Sequence, residues 1–356
     1  MKKLNYKNLW SAFLLGVAVL SFSACNKVDN TPVPTPVADI STFAGNPVQG
    51  SVNGTGALAS FYRPSGLAID AQGNIYVADA GNNLIRKINP AGAVTTYAGT
   101  GAQGSTDGPA ASATFNDPQG VAVDPAGNMY IADALNKLIR KISPTGAVTT
   151  LAGGGTKGTD GTGTAAGFDV PTGVAVDING TIYVADNYLV RKITSAGVVS
   201  TLAGTGVAGS DNGLGTAASF NQLIGIAVDL NGNIYVADHG NNLIRKITRT
   251  GVVTTLAGSG SPGATDGVGT AASFSAPVAV ATDAAGYVYV SDSNHLIRAI
   301  APNGTTATLA GTGAGGDTDG GKDVATFSIP YGLAVGSGNL FIGDTFNNSI
   351  RRLTYK

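Results

Sequence analysis

The chain has 356 residues, 43% of them hydrophobic, with 21 Lys and Arg against 22 acidic residues and a formal net charge of −1. That balance, with no basic stripe, excludes an electrostatic nucleic-acid binder, which must displace counterions from phosphates. Gly and Pro, at 52 and 15 residues, stay below the level of unpatterned disorder, so a packed core is expected.

The first element is a leader. Lys2, Lys3 and Lys7 begin it, an apolar run from Leu9 to Phe22 follows, and Ser23 and Ala24 precede Cys25. A basic start, an apolar middle and a small-residue end make a secretory signal. This stretch resembles a bacterial lipoprotein signal. The resemblance implies that residues 1–24 are removed and that Cys25 is lipidated; an ordinary signal peptide or a single membrane anchor is the alternative. Residues 25–39, with Thr31-Pro32-Val33-Pro34-Thr35-Pro36, read as a semi-extended tether. Loss of the leader takes three Lys and leaves 18 basic against 22 acidic residues, a net charge of −4. Cys25 is the sole cysteine, so no internal disulfide can form.

Ile40-Ser41-Thr42-Phe43-Ala44-Gly45 reads as an isolated strand. Six copies of a longer unit follow, opening at Phe61, Phe115, Phe168, Phe220, Phe274 and Phe327, at intervals of 54, 53, 52, 54 and 53 residues. A fixed period of this size means one supersecondary unit per copy. Each copy reads as four strands; in the second these are Gly120–Ala122 with Val123, Met129–Ala132, Leu138–Ile142 and Val148–Ala152. Turn residues punctuate them, as in Asp124-Pro125-Ala126-Gly127-Asn128 and Ser143-Pro144-Thr145-Gly146. Strands such as Ile75-Tyr76-Val77-Ala78 are apolar on both faces, so each sheet must be covered on both sides. The sixth copy ends after its third strand, Ser349–Leu353, and the isolated strand at 40–45 matches the missing fourth. The expected fold is all-β: a six-bladed β-propeller over 40–356, closed by residues 40–45 completing the last blade.

Pro118-Gln119-Gly120-Val121-Ala122-Val123-Asp124 and Tyr130-Ile131-Ala132-Asp133 through Leu138-Ile139-Arg140-Lys141-Ile142 resemble the NHL-repeat family of β-propellers, and equivalents recur in every copy. The last copy departs most: Gly336 stands where the others have Asp70, Asp124, Asp177, Asp229 and Asp283. Some NHL domains bind RNA, but this chain lacks the positive charge for it.

All 22 acidic residues are Asp. An EF-hand, which closes on a bidentate Glu, is therefore excluded, as is the Glu-containing metal site that similar gluconolactonase-type propellers use. His239 and His295 are the only histidines. They are too few for the zinc sites of amidating-lyase propellers, though both follow second strands of adjacent blades. Asp79, Asp133, Asp186, Asp238, Asp292 and Asp344 end the second strands, each followed by an Arg from Arg86 to Arg351. A six-fold set suits turn capping with Arg pairing; the functional alternative is a carboxylate ring for a cation or sugar hydroxyls. The Asp-Gly pairs in the long connections read as tight turns. Asp317, Asp319 and Asp323 in the last one form an acidic loop that is a candidate calcium site.

Function is expected on the face that carries these long loops. There the repeat is broken at Tyr188, His239, His295 and Phe346, the candidate binding residues. The expected function is an exported, lipid-anchored, monomeric binding scaffold in the cell envelope. It presents this face to a protein or glycan and requires no cofactor. The alternative is a metal-assisted lyase or hydrolase with Asp and Asn ligands, whose acid–base groups would come from Asp alone.

Overall fold

A computed structural model describes residues 39–354. The leader, Cys25 and the Pro-rich tether to residue 38 lie outside the described residues, as do 355 and 356. The described chain forms six antiparallel sheets. Blades 1 to 6 are named here by their innermost strands: Pro64–Ile69, Pro118–Val123, Pro171–Val176, Leu223–Val228, Pro277–Thr282 and Pro330–Gly336. Each innermost strand neighbours the next, and that of blade 6 neighbours that of blade 1, so the ring is closed.

Closure is made as the sequence implies. Ile40–Gly45 pairs antiparallel with Ser349–Thr354, with Ile40 opposite Leu353 and Gly45 opposite Ser349. Blade 6 is thus built from both ends of the folded region. One feature of the sheets was not foreseen. Blades 1 to 5 each gain a two-residue fifth strand, such as Gly108–Pro109 on Ala147–Gly153, which covers the outer edge. In blade 6 a bridge from Gly320 to Ile40 does the same. Two residues are too short to carry a strand pattern in sequence.

The core lies between blades. Ala68, Tyr76 and Ile85 of blade 1 pack with Phe115, Val121 and Ile131 of blade 2, and five equivalent clusters fill the other interfaces. This is why the strands are apolar on both faces. The glycines of the innermost strands meet a steric demand: a Cβ on Gly120 would stand 2.6 Å from Thr172 O of the next blade. The hairpin turns on one face are uniform. Asp124 Oδ1 accepts from Asn128 N–H at 2.8 Å and Oδ2 from Tyr130 Oη–H at 3.1 Å. Asp70 with Tyr76, and Asp229 with Tyr235, repeat this. Blade 6 loses both partners together, with Gly336 and Phe341 at these positions.

Candidate functional site

On the opposite face the turns after the second strands meet the long loops between blades. Beneath them lies a six-fold polar framework. Arg86 donates through Nη1 to Asp79 Oδ2 at 2.9 Å and to Ser60 O, and through Nη2 to Val52 O and Asn53 Oδ1. Its guanidinium lies 5.2 Å over the Phe61 ring. Arg140, Arg191, Arg245, Arg298 and Arg351 lie over their own Phe rings at 5.2–5.5 Å. Their outer partners are Asp107, Asp160, Asn212, Asp266 and Asp319. The Asp-Gly loops therefore do more than turn: their Asp or Asn side chains finish the solvation of a buried cation. The signal was an Asp or Asn standing 31 to 33 residues before every Arg.

The inner carboxylates are 0–1% exposed. Burial pushes Asp79 up to about 6, against the contacts with Asn82, Tyr62 and Arg86 that favour its ionised form. Burial likewise raises Asp133, Asp186, Asp238 and Asp344. Asp107 goes the other way: partial burial raises it, but bonds from Thr150 and Arg140 outweigh that and hold it low. A carboxylate ring facing solvent is not what these residues form. Each points inward to its Arg.

Adjacent blades are latched on this face. A residue in the left-handed region closes the turn after the second strand. Its side chain accepts from the N–H of another left-handed residue in the next blade. Asp117 donates to Asn83 Oδ1 at 2.9 Å, Ala276 to Asn242 Oδ1 at 2.8 Å, and Arg63 to Asn348 Oδ1 at 3.0 Å. Ile329 donates to His295 Nδ1 at 3.2 Å, so His295 stands in for asparagine.

The latch is replaced on both sides of blade 3. Lys137 occupies the left-handed position without an acceptor, and Val170 N–H instead donates to Asp186 Oδ1 at 2.9 Å. Asn187 directs its amide to Asp169 Oδ2 at 2.7 Å and offers only its carbonyl, which accepts from Leu223 N–H. The blade 3 turn has shrunk to Asn187-Tyr188, with Asp186 opposite Leu189. A groove of about 570 Å³ opens beside it, lined by Lys157, Asp160, Asp169, Tyr188, Leu189 and Thr205 among others. Lys157 Nζ is 2.8 Å from Asp169 Oδ2.

The central channel opens onto the same face. The residue between Pro and Gly in the first strand differs in every blade: Ser65, Gln119, Thr172, Tyr331, and Ile224 and Val278 where the Pro or the Gly has itself changed. All but Ser65 line the channel mouth. From there a pocket of about 430 Å³ runs toward blade 3, between Gln119, Tyr188, Asn221, Gln222 and Tyr331. Sequence reasoning missed this position, although its variation inside a near-constant motif was visible.

Two of the candidate binding residues belong to this region. Tyr188 lines both the groove and the pocket. Phe346, 57% exposed, lines a smaller pocket with Tyr331 and Gln119. The histidines are not brought together at either one. His295 is the latch to Ile329, and His239 Nδ1 meets Pro277 O at 3.2 Å. Burial lowers the His239 pKa, opposed by bonds to Pro277 and Ala276.

In the acidic loop, two of the three Asp have other partners. Asp319 Oδ1 accepts from Arg351 Nη2 at 2.6 Å and its Oδ2 from Thr42 N–H at 3.0 Å. Asp323 lies 3.5 Å from Lys322 Nζ. Among the described residues no three His, Cys, Asp or Glu side chains group to hold a metal, and Asp317, Asp319 and Asp323 are not brought together as ligands. Arg351 takes the carboxylate that a cation would need.

Fold and face together define an all-β, six-bladed β-propeller with NHL repeats. The NHL repeat model matches residues 61–88 and 220–247. The chain is 32% identical to the chloroplastic protein SUPPRESSOR OF QUENCHING 1 of Arabidopsis thaliana over 95% of its own length and 34% of that protein. It is 30% identical to NHL repeat-containing protein 2 of Bos taurus over 82% of its length and 46% of that protein. It thus spans between a third and a half of these relatives. Among solved structures, an auxiliary nutrient binding protein of Bacteroides thetaiotaomicron matches with a TM-score of 0.67 and 19% identity, over 89% of this chain and 76% of that one. That likeness shows the fold.

Proposed function

We propose that this chain is a non-catalytic binding scaffold whose partner, a protein or a glycan, docks on the face carrying the latch turns and long loops. The observation that carries this is the clustering of repeat-breaking features around blade 3 and the channel mouth. Both latch replacements, the shortened Asn187-Tyr188 turn, Lys157 and the variable mouth residues lie there. A specific ligand needs such asymmetry; a six-fold ring alone presents the same surface six times. The inner Asp of the framework are buried against Arg, and the outer ones, about half exposed, are held by the same Arg, so these acids support the ring. Structural neighbours described as nutrient binding proteins accord with this reading.

The same proposal places the scaffold in a bacterial cell envelope as a monomer. There the leader exports it, lipidated Cys25 anchors it, and the Pro-rich tether holds the propeller off the membrane. The test is a pull-down and glycan array with substitutions at Tyr188, His239, His295 and Phe346, set against substitutions in hairpin turns of the opposite face. Binding should be impaired by the first set with folding intact. Loss only from the second set would place function on the other face.

A further inference from the structure

We infer that the pocket between Gln119, Tyr188, Gln222 and Tyr331 binds a neutral saccharide. This deepens the scaffold reading and rests on it.

Size comes first. The pocket encloses about 430 Å³, within the range of small-molecule sites and wide enough for one or two sugar rings. Chemistry comes second. No charged side chain lines it. Its polar groups are the carboxamides of Gln119, Asn187, Asn221 and Gln222 and the hydroxyls of Thr172 and two tyrosines. Carboxamides and hydroxyls each donate and accept, as sugar hydroxyls do. Tyr188 and Tyr331 add aromatic surface, and Val170 and Ile224 an apolar wall, for the C–H faces of a pyranose. An anionic ligand would find no cation in the lining. Lys157 belongs to the neighbouring groove and is paired with Asp169. Arg63, at the smaller pocket, faces Asp117 at 3.7 Å.

One local feature supports a built site. Gln119 Nε2 donates to Asp117 Oδ2 at 2.7 Å, which fixes the amide because a carboxylate only accepts. Gln119 Oε1 is then left buried without a partner, an unmet acceptor in a residue that lines the pocket. Gln222 sits in the left-handed region at φ 58°, on the rim of the same pocket. Arg63, Asp117, Ala276 and Ile329 share that conformation at the same place in other blades, so it belongs to the repeat and is not itself a sign of a ligand.

The experiment is calorimetric titration of the full chain with neutral hexasaccharides of glucose, xylose and mannose, and with a hexasaccharide of galacturonic acid. Two pocket variants are compared. Tyr188→Ala removes the shared aromatic, and Gln222→Gly removes an amide while suiting its backbone. Gln72→Ala, on the hairpin face, is the control. The expected result is binding of at least one neutral hexasaccharide, weakened about tenfold or more in both pocket variants and unchanged in the control. Three results would overturn the saccharide inference and leave the scaffold reading standing. One is binding of the galacturonate alone. Another is neutral-sugar binding that the pocket variants do not change. The third is no sugar bound at about 1 mM while a protein partner is captured through the Tyr188 and Phe346 face. Capture of neither sugar nor protein through this face would overturn both.

Discussion

Asp292 and Arg298 form the loosest of the six buried pairs: Oδ2 lies 3.8 Å from Nη1 and has no hydrogen-bond partner. In blade 4 the equivalent Asp238 and Arg245 are 2.7 Å apart, and Asn241 donates to Asp238 as well. The turn after Asp292 is one residue shorter, and Asn294 donates to Gly263 O. Burial pushes Asp292 up to about 7, above the ordinary 3.8, and outweighs the opposing effects of Ser275, Arg298, Asn294 and Ser293. The folded chain therefore keeps a proton that the unfolded chain gives up between about pH 4 and 7, so this residue makes stability fall as pH rises through that window. Asparagine cannot ionise. The melting temperature of Asp292→Asn relative to the parent should rise from pH 5 to pH 8. A flat difference would show that Asp292 ionises normally.

The second prediction sets that variant against Asp238→Asn. Arg298 keeps the charge of Asp266 at 2.6 Å, whereas the outer partner of Arg245 is the neutral Asn212. Asp238→Asn leaves a buried cation without a counter-charge and should cost about 3–5 kcal/mol. Asp292→Asn should cost less than about 1 kcal/mol at pH 8. Urea unfolding of both proteins decides it; equal losses would refute the distinction.

His295 tests the latch. It occupies a left-handed position that asparagine fills in blades 1, 4 and 6, and accepts from Ile329 N–H. His295→Asn should leave stability within about 0.5 kcal/mol, and His295→Ala should cost about 1–2 kcal/mol through the lost acceptor. If His295→Asn keeps the fold but loses partner binding, the imidazole contacts the partner directly. If it keeps both, the residue serves the latch alone.

Ring closure gives a fourth test. Deleting residues 40–45 removes the strand paired with Ser349–Thr354, along with buried Ile40 and Ala44. Blade 6 would keep three strands and an open edge beside Phe341 and Ile350. The loss should exceed about 3 kcal/mol and broaden the melt. A melting temperature within about a degree of the parent would refute closure by this strand.

The propeller was legible because its signals repeat. Six Phe, six Asp at strand ends and a split last blade fix blade number and closure without any long-range contact being known. The site was legible only in part. Tyr188 and Phe346 stood out because they break a pattern, and both lie at pockets of the long-loop face. His239 and His295 stood out equally, yet they meet backbone groups of the next blade, a distinction that depends on geometry. Gln119 and Tyr331 were not legible because they lie in different blades and only closure of the ring brings them to one pocket. In the acidic loop, sequence alone cannot show that Arg351 folds back onto Asp319.

The last prediction concerns that pairing. Asp107 accepts from Arg140 at 2.6 Å and from Thr150 N–H at 3.0 Å, and Asp319 makes the same contacts with Arg351 and Thr42. Blades 1 and 4 use Asn53 and Asn212 at this position, so an amide oxygen suffices where the inner Asp supplies the charge. Asp107→Asn should therefore change stability by less than about 1 kcal/mol, since Asp133 still faces Arg140 at 3.0 Å. Asp107→Ala removes an acceptor from a buried guanidinium and should cost about 2–3 kcal/mol. Asp319→Asn and Asp319→Ala should behave alike, because the framework treats the two loops alike. Calcium makes the readout specific. If Asp319 serves Arg351, millimolar calcium should raise the melting temperature of neither parent nor Asp319→Asn. A rise in the parent that Asp319→Asn abolishes would mean that the carboxylate leaves Arg351 for the ion.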